Sequence, residues 1–168
     1  DDVVINNLSI DGCGMDAVLQ YASGYNLTIN GLTVNGCNAF PVSVSANWAH
    51  QITGFTLTNN AHNVIRFLNG GYLVSQTLAN HGYPYQISGS PLYVNYTNVT
   101  FLPGTVFYFE QSRSLEVSGT LTAHGTAENP IIFDRPAGAE YFWDRIYLQN
   151  NSNASFAYCQ FNNCGLRN

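Results

Sequence analysis

The 168-residue chain contains no lysine, and charged residues of all kinds make up only 9% of it. A typical soluble domain has about 25% charged residues, so solubility here has to rest on neutral polar groups, above all asparagine. The basic residues are five arginines, and they form no cluster. Binding to a nucleic-acid backbone needs grouped lysine and arginine, so we expect no nucleic-acid partner.

Long apolar segments are also absent, as is the 3.6-residue period of an amphipathic helix. No run of about 18 apolar residues is present to span a bilayer and no charged-then-apolar leader opens the chain, so we predict no membrane insertion. Hydrophobic residues at 45% and aromatic residues at 14% nevertheless suffice for a sizeable core. Glycine, asparagine and proline interrupt the chain every few residues, which is typical of short strands joined by bends.

A metal-binding pattern is missing as well. The four histidines are scattered, no CxxC pair occurs and no acidic cluster recurs at one interval, so we predict neither a metal site nor a cofactor. Two interpretations of the cysteines stay open, since a free cysteine packs as a small hydrophobic residue and a close pair forms a disulfide. The disulfide candidates are Cys13, Cys37, Cys159 and Cys164.

A nine-residue unit occurs twice near the start, as Ile5–Cys13 and again as Ile29–Cys37, so that its first and last residues recur at one and the same interval. In both copies apolar residues alternate with polar ones, and a glycine bend precedes the cysteine. A fixed period in this range indicates a repeat architecture. We therefore predict that Cys13 and Cys37 stand at equivalent bends of adjacent coils, about 4.8 Å apart, a separation that a disulfide accepts.

The same pattern continues along the chain at closely similar intervals. These copies begin at Ile52, Leu73 and Tyr96, and a last copy, Phe156–Cys164, ends on a cysteine as the first two do. Alternation within the copies predicts which side chains face the interior. The predicted inward positions are Leu8, Ile10, Leu32, Val34, Phe55 and Leu57.

Short strands that recur at such an interval cannot each bury an apolar face alone, but they can when stacked on one another. We therefore predict an all-β fold, a parallel β-helix of about seven coils with three strands per turn. The predicted domain is single and covers residues 1–168, either by itself or as a segment of a longer β-helix. An antiparallel sandwich would also show frequent turn signals, but it does not explain a recurring nine-residue unit.

A second pattern covers Tyr93–Asp134, within a stretch of about residues 85–165. In it, Leu102–Thr105 and Leu115–Leu121 are followed by Gly125–Phe133, and a Trp-x-x-Ile strand, Trp143–Leu148, comes after it. This succession resembles the secreted right-handed parallel β-helix proteins of the pectate-lyase-like superfamily. The resemblance implies a right-handed coil and a secreted or cell-surface location. It implies no particular activity, because such segments occur in proteins with many roles.

Carboxylates suited to acid–base catalysis are few. A polysaccharide lyase or hydrolase would need two or three of them together on one outer face, with an arginine or lysine nearby. Glu110 and Glu116 flank Arg113, which is typical of a solvated turn, and the lysine base of the lyase pattern is missing. We predict no catalytic residue.

The connection Asp134–Arg145 holds the densest charge in the chain, together with a Tyr-Phe-Trp run. Two interpretations stay open: an exposed loop with local ion pairs, each worth about 0 to 1 kcal/mol, or a binding loop for a sugar or a protein partner. In the second, aromatic faces pack on the ligand while charged groups bond its hydroxyls. The ligand-binding candidates are Asp134, Arg135, Glu140, Tyr141, Trp143, Asp144 and Arg145.

Several Asn-x-Ser/Thr sequons are present, of which chance alone would supply about three in a chain of this composition. Their glycosylation depends on a secretory route. The acceptor candidates are Asn7, Asn26, Asn95, Asn98, Asn150 and Asn153.

The two ends of the sequence carry no amphipathic helix, lysine fringe or proline-rich cap, so we expect uncapped ends. Such ends predict either end-to-end self-association or flanking coils of a longer parent chain, and a head-to-tail contact that closes no ring propagates into a filament. The function we expect is therefore a non-enzymatic extracellular module, structural or adhesive, such as a subunit of a fibre or surface layer. The alternative is a carbohydrate-active β-helix enzyme, or a carbohydrate-binding fragment of one, with a polysaccharide as its partner.

Overall fold

The structure is a computed structural model that describes residues 2–20, 26–68 and 74–165. It is a parallel β-solenoid of about 6 turns with 53% strand and 4% helix, so the predicted all-β parallel coil is confirmed. The turns are slightly fewer than expected because those near the C-terminal end are longer. Thr120 pairs with Asn153 across one such turn, whereas Asp2 pairs with Asn26 across a shorter one at the start.

The described strands form four parallel sheets, each built from successive turns. The first sheet contains β1 (Asp2–Cys13), β3 (Asn26–Cys37) and β5 (Ile52–Thr58). The second contains β7 (Gln76–Leu78), β10 (Asn98–Phe101), β13 (Thr120–His124) and β16 (Asn153–Ala157).

The third sheet is the longest, with seven strands. It contains β2 (Val18–Leu19), β4 (Val42–Val44), β6 (Ile65–Phe67), β8 (Tyr85–Ile87), β11 (Val106–Phe109), β14 (Ile131–Asp134) and β17 (Cys159–Phe161). The fourth contains β9 (Leu92–Val94), β12 (Leu115–Val117) and β15 (Ile146–Leu148). A short 3-10 helix, η1 (Ala46–Gln51), leads directly into β5.

The register predicted from the repeat spacing is confirmed over the first three turns. Ile5 pairs with Ile29, which in turn pairs with Ile52. Leu73, where the next copy was predicted to begin, lies outside the described residues. The strand of that copy, β7, pairs with β10 in the predicted register.

The last predicted copy, Phe156–Cys164, differs from the first two because its two halves lie in different sheets. Tyr158, at a φ of 49°, turns the backbone in its middle, so the segment is divided between β16 and β17 in different sheets. Phe156 therefore lies opposite Ala123, and Phe161 lies opposite Phe133. Alternation of polar and apolar residues does not reveal a corner at which a tyrosine takes the left-handed region, which few non-glycine residues adopt.

Inside the coil, apolar side chains from successive turns stack in columns. Leu32, Val34 and Leu57 are buried, as the alternation predicts, and Phe55 is half-buried. Leu8 lies opposite Leu32 in the same column, yet 41% of it is exposed, because it belongs to the first described coil. The alternation therefore predicts correctly which side chains point inward. How deeply each of them is buried also depends on whether a neighbouring coil covers it.

One core column consists of aromatic rings in the third sheet. The stacked neighbours have centroid separations of 5.1, 5.6, 5.3 and 4.9 Å, and offset-stacked pairs of this kind are worth about 0.5 to 1.5 kcal/mol each beyond their buried area. This aromatic column links five consecutive turns. Its members are Phe67, Tyr85, Phe107, Phe133 and Phe161.

Within the described part of the chain, no helix has the length and apolar character needed to cross a membrane.

Candidate functional site

The predicted binding loop is the connection between β14 and β15, and Asp134 anchors its beginning. The Oδ1 atom of Asp134 accepts a hydrogen bond from the backbone N–H of Arg135 at 2.7 Å. The same oxygen accepts another from Nδ2 of Asn163 at 2.8 Å, which comes from the next turn. Asp134 thus ties the start of the loop to the neighbouring coil.

Arg135 closes the loop on itself. Its Nη1 atom donates to the backbone carbonyl of Tyr141 at 2.7 Å, and its guanidinium carbon lies 5.8 Å from the centre of the Phe142 ring. These contacts hold the two sides of the loop together. The arginine as a whole is half-exposed.

A cleft of about 420 Å³ lies within this loop. It brings together three of the predicted ligand-binding residues, Asp134, Arg135 and Glu140, and adds Asn163. Carboxylate, guanidinium and amide groups at one opening are the kind of polar set that bonds the hydroxyls of a sugar. The other residues that line it are Pro136, Ala137, Gly138 and Ala139.

Trp143, one of the predicted ligand-binding residues, lies in the core of the coil. Its side chain is 0% exposed, stacks on Phe109 with ring centres 4.7 Å apart, and donates from Nε1 to the carbonyl of Asn162 at 2.6 Å. This indole is therefore a core residue. Of the other predicted ligand-binding residues, Asp134, Arg135 and Glu140 line the cleft. The sequence alone does not separate a surface aromatic from one that turns inward at the end of a loop.

Tyr141, Asp144 and Arg145 are not part of the cleft lining. Asp144 and Arg145 form an ion pair with Nε and Oδ2 3.2 Å apart, and the arginine also lies over the Tyr147 ring at 6.0 Å. Tyr141 is half-buried, and burial, followed by the charge of Glu110, raises the pKa of its phenol. These residues fit the interpretation of a loop with local pairs.

A second cluster, which the sequence analysis did not find, joins three successive turns. Arg66 on β6 forms an ion pair with Asp16, and its Nε donates to Oγ of Ser43 at 2.9 Å. Its guanidinium carbon lies 3.9 Å from the centre of the Phe40 ring, and that ring stacks on His62 at 4.6 Å.

This cluster borders a cleft of about 350 Å³. Asp16 and Arg66 lie two turns apart in the chain, so no local sequence motif contains both of them. Their contact follows only from the strand register, which places Ser43 opposite Arg66. The cleft is lined by Gly14, Met15, Asp16, Leu19, Ala39 and Arg66.

The other acidic candidates each bond a different group. Glu110 accepts from Nε2 of Gln86 at 2.8 Å, and Glu116 accepts from Oγ of Ser114 at 3.0 Å. Arg113, between them, donates from Nε to the carbonyl of Ser88 at 2.6 Å. Among the described residues, no three histidine, cysteine or acidic side chains are grouped so as to hold a metal ion.

The cysteines divide into a bonded pair and two free thiols. Cys13 and Cys37 stack on consecutive turns with Cα atoms 4.5 Å apart and form a disulfide, as the spacing predicts. Cys159 and Cys164 are free, so a disulfide between them is not formed. Cys164 lies after β17, the strand that the corner at Tyr158 separates from β16. Burial is the chief cause that raises the pKa of both Cys159 and Cys164.

The six sequon asparagines lie mostly on the outside of the coil. Two of them are engaged by neighbours: Nδ2 of Asn26 donates to Asp2 at 2.7 Å, and Oδ1 of Asn95 accepts from Ser118 at 2.7 Å. The other four are exposed residues, so their positions on the surface are open to glycan attachment. These are Asn7, Asn98, Asn150 and Asn153.

The chain matches no protein-family model, no curated protein and no solved structure.

Proposed function

We propose that the chain is an extracellular structural or adhesive module that stacks end to end with further β-coils. Those coils belong to a second copy of the chain or to flanking parts of a longer parent protein. The proposal includes a right-handed coil, secretion or display at the cell surface, and membership of the pectate-lyase-like superfamily. Its supports are the repeat and the stretch from Leu102 to Leu148 that resembles that superfamily.

The observation that carries the proposal is the incomplete burial of core columns in the two outermost described coils. Leu8 is 41% exposed where Leu32, one turn further in, is 0% exposed. At the other end, Phe161 is 40% exposed where Phe133 is 0% exposed. One more coil at each end would complete the same columns and the same strand ladders.

The energetics favour such an addition. An exposed edge strand offers unpaired backbone donors and acceptors to any chain of matching pitch, and a solenoid gains stability chiefly from contacts between neighbouring repeats. Here the outer coils offer inward-facing apolar side chains together with that edge. A stack of coils therefore buries apolar area and pairs backbone groups in the same step.

The experiment compares two aspartate variants of one strand by sedimentation velocity and electron microscopy. Leu8→Asp places a charge in the column that the next coil would cover, so we expect it to abolish assembly. Val4→Asp is the matched control, because Val4 is 58% exposed and lies opposite Thr28, on the outer side of β1.

The unmodified chain should form elongated particles as its concentration rises, and Val4→Asp should do the same. A chain that remains monomeric at the highest concentrations, and whose gene encodes no flanking coils, would contradict the proposal. Equal assembly by all three proteins would contradict it as well.

A second candidate function is glycan binding at the cleft formed by Asp134, Arg135, Glu140 and Asn163. It is favoured by the convergence of these polar groups at one opening. Binding of oligosaccharides is measured by titration calorimetry with the unmodified chain and with Glu140→Gln, which changes an exposed lining residue. Glycan binding that the substitution weakens would support this function, whereas release of unsaturated or reducing ends from a polysaccharide would instead show an enzyme.

A further inference from the structure

Two lines of hydroxyl side chains lie on the outer side of the coil, one on the first sheet and one on the second. In the first sheet, the pairs are Ser9 with Thr33 and Thr33 with Thr56. In the second sheet, Thr77, Thr100, Thr122 and Ser155 are paired in succession. We call these residues the hydroxyl rank: Ser9, Thr33, Thr56, Thr77, Thr100, Thr122 and Ser155.

The rank belongs to the outer surface. Strand alternation buries Leu32 and Val34 on either side of Thr33, which is exposed itself. The other members are exposed or, for Thr100 and Thr122, half-exposed. The preference of threonine for strands explains single threonines but not a hydroxyl residue at one position of all seven strands in the two sheets.

The surroundings of the rank are small and polar. The residues two positions earlier in each strand or bend carry neither charge nor an aromatic ring, and they are Asn7, Gly31, Gly54, Ser75, Asn98, Thr120 and Asn153. Two positions later, the ionisable neighbours among the described residues are Asp11 and His124. Nδ2 of Asn35 donates to Asp11 at 2.6 Å, and the His124 ring lies 2.7 Å from Oγ of Ser155.

The side chains in and around the rank limit the class of partner that it can bind. Nucleic acids need clustered basic groups, and a polysaccharide surface is usually met by flat aromatic side chains. No basic cluster and no Phe, Tyr or Trp stands two positions before or after a member of the rank. Each threonine offers a hydroxyl that both donates and accepts, beside a methyl group, and the spacing along each ladder is about 4.8 Å. A regular line of this kind suits a partner that itself repeats at a similar interval.

We propose that the hydroxyl rank binds the surface of ice crystals. Ice presents water oxygens on a lattice whose repeat is close to the strand spacing of a β-sheet. Hydroxyls held at that spacing order bridging waters, and such waters cost little to immobilise when each keeps its hydrogen bonds. This activity goes beyond the structural role proposed above and does not depend on it.

The test is partition of the full chain into slowly growing ice, compared with the remaining liquid. The double variant Thr56→Tyr with Thr100→Tyr places two bulky rings in the rank, on strands that tolerate aromatic residues. The matched control is Thr53→Tyr, since Thr53 is exposed on the same strand β5 but lies outside the rank. Circular dichroism checks that each protein keeps its β-structure, and the two single variants replace the double variant if it unfolds.

We expect the unmodified chain and Thr53→Tyr to be enriched in ice and the rank variant to lose that enrichment. Exclusion of the unmodified chain from ice would overturn the proposal, and so would equal behaviour of all three proteins. The same proteins are also mixed with crystalline cellulose. Retention on cellulose together with exclusion from ice would assign the rank to a crystalline polysaccharide instead.

Discussion

The first two strands of the first sheet carry the same nine-residue unit, yet they have different environments. In β3, Leu32 and Val34 are fully buried between a turn on each side, whereas β1 has no buried residue at all. Their sequences alternate alike and their residues pair one to one. The comparison teaches that a solenoid strand owes its burial to its neighbours, so stability should depend strongly on where in the stack a given residue stands.

The largest expected effect comes from Leu32→Asn. It removes a fully buried leucine and buries an amide without partners, which together cost about 4 to 6 kcal/mol. Leu8→Asn, the matched change in β1, should cost only about 1 kcal/mol because solvent reaches that side chain. Urea titration of both variants measures the difference.

Thr33→Asn serves as the control for Leu32→Asn, since Thr33 is its exposed neighbour on the outer face. It should leave the midpoint of unfolding nearly unchanged. Equal midpoints for Leu32→Asn and Thr33→Asn would show that the inward and outward assignment is mistaken.

The next largest effect concerns the disulfide that joins the two strands. Cys13→Ser with Cys37→Ser removes a link between positions at a sequence separation of 24, a restraint worth about 3 kcal/mol in the chain-entropy account. We expect the loss to fall mainly on β1, which pairs with a neighbouring strand on one side only. Limited proteolysis should therefore cut the double variant before residue 26 while leaving the rest of the solenoid intact.

The control for the disulfide is Cys159→Ser with Cys164→Ser, because both of these thiols are free. That variant should resist proteolysis as the unmodified chain does. Cleavage throughout the Cys13/Cys37 variant, rather than at its first strand, would contradict the local role of the disulfide.

The smallest expected effect is a pH dependence of the stability, which comes from the half-buried His81. His81 lies against the rings of Phe55 and Tyr85, at 5.9 and 6.1 Å between ring centres, and burial lowers its pKa below the usual value of 6.5. The unfolded chain therefore binds this proton at a higher pH than the folded chain does. The associated stability is complete above pH 6.5 and decreases as the pH falls below it.

His81→Phe keeps the ring contacts but has no titrating group. Thermal unfolding at pH 7.5 and pH 5.5 should show a smaller loss on acidification for this variant than for the unmodified chain. An identical loss in the two proteins would remove His81 from the pH response.

The sequence predicted the parallel coil, the register of its first turns and the cysteine pair because all of these follow from a regular spacing. Ile5, Ile29 and Ile52 stand one turn apart, and the period is visible by alignment. Near the C-terminal end the turns differ in length, and the corner at Tyr158 shifts Phe156–Cys164 into two sheets. A sequence period does not predict where a loop lengthens a turn.

The candidate sites were less predictable for a related reason. Asp134, Arg135 and Glu140 are neighbours in sequence, so their convergence could be foreseen from charge density alone. Trp143 could not be placed, because the same residue type serves as a surface platform or as a core ring. The contact between Asp16 and Arg66 depends on the register of three turns, and a scan of local motifs does not detect it.

Hydrogen exchange followed by mass spectrometry tests most directly the claim that each coil is completed by the next. The isolated chain is measured at increasing protein concentration, and the peptides that cover residues 2–13 and 26–37 are compared. The account predicts that 26–37 is protected throughout and that 2–13 gains protection as the concentration rises and coils stack. Protection of 2–13 that equals that of 26–37 at the lowest concentration would contradict it. So would protection that never increases in a chain whose gene encodes no flanking coils.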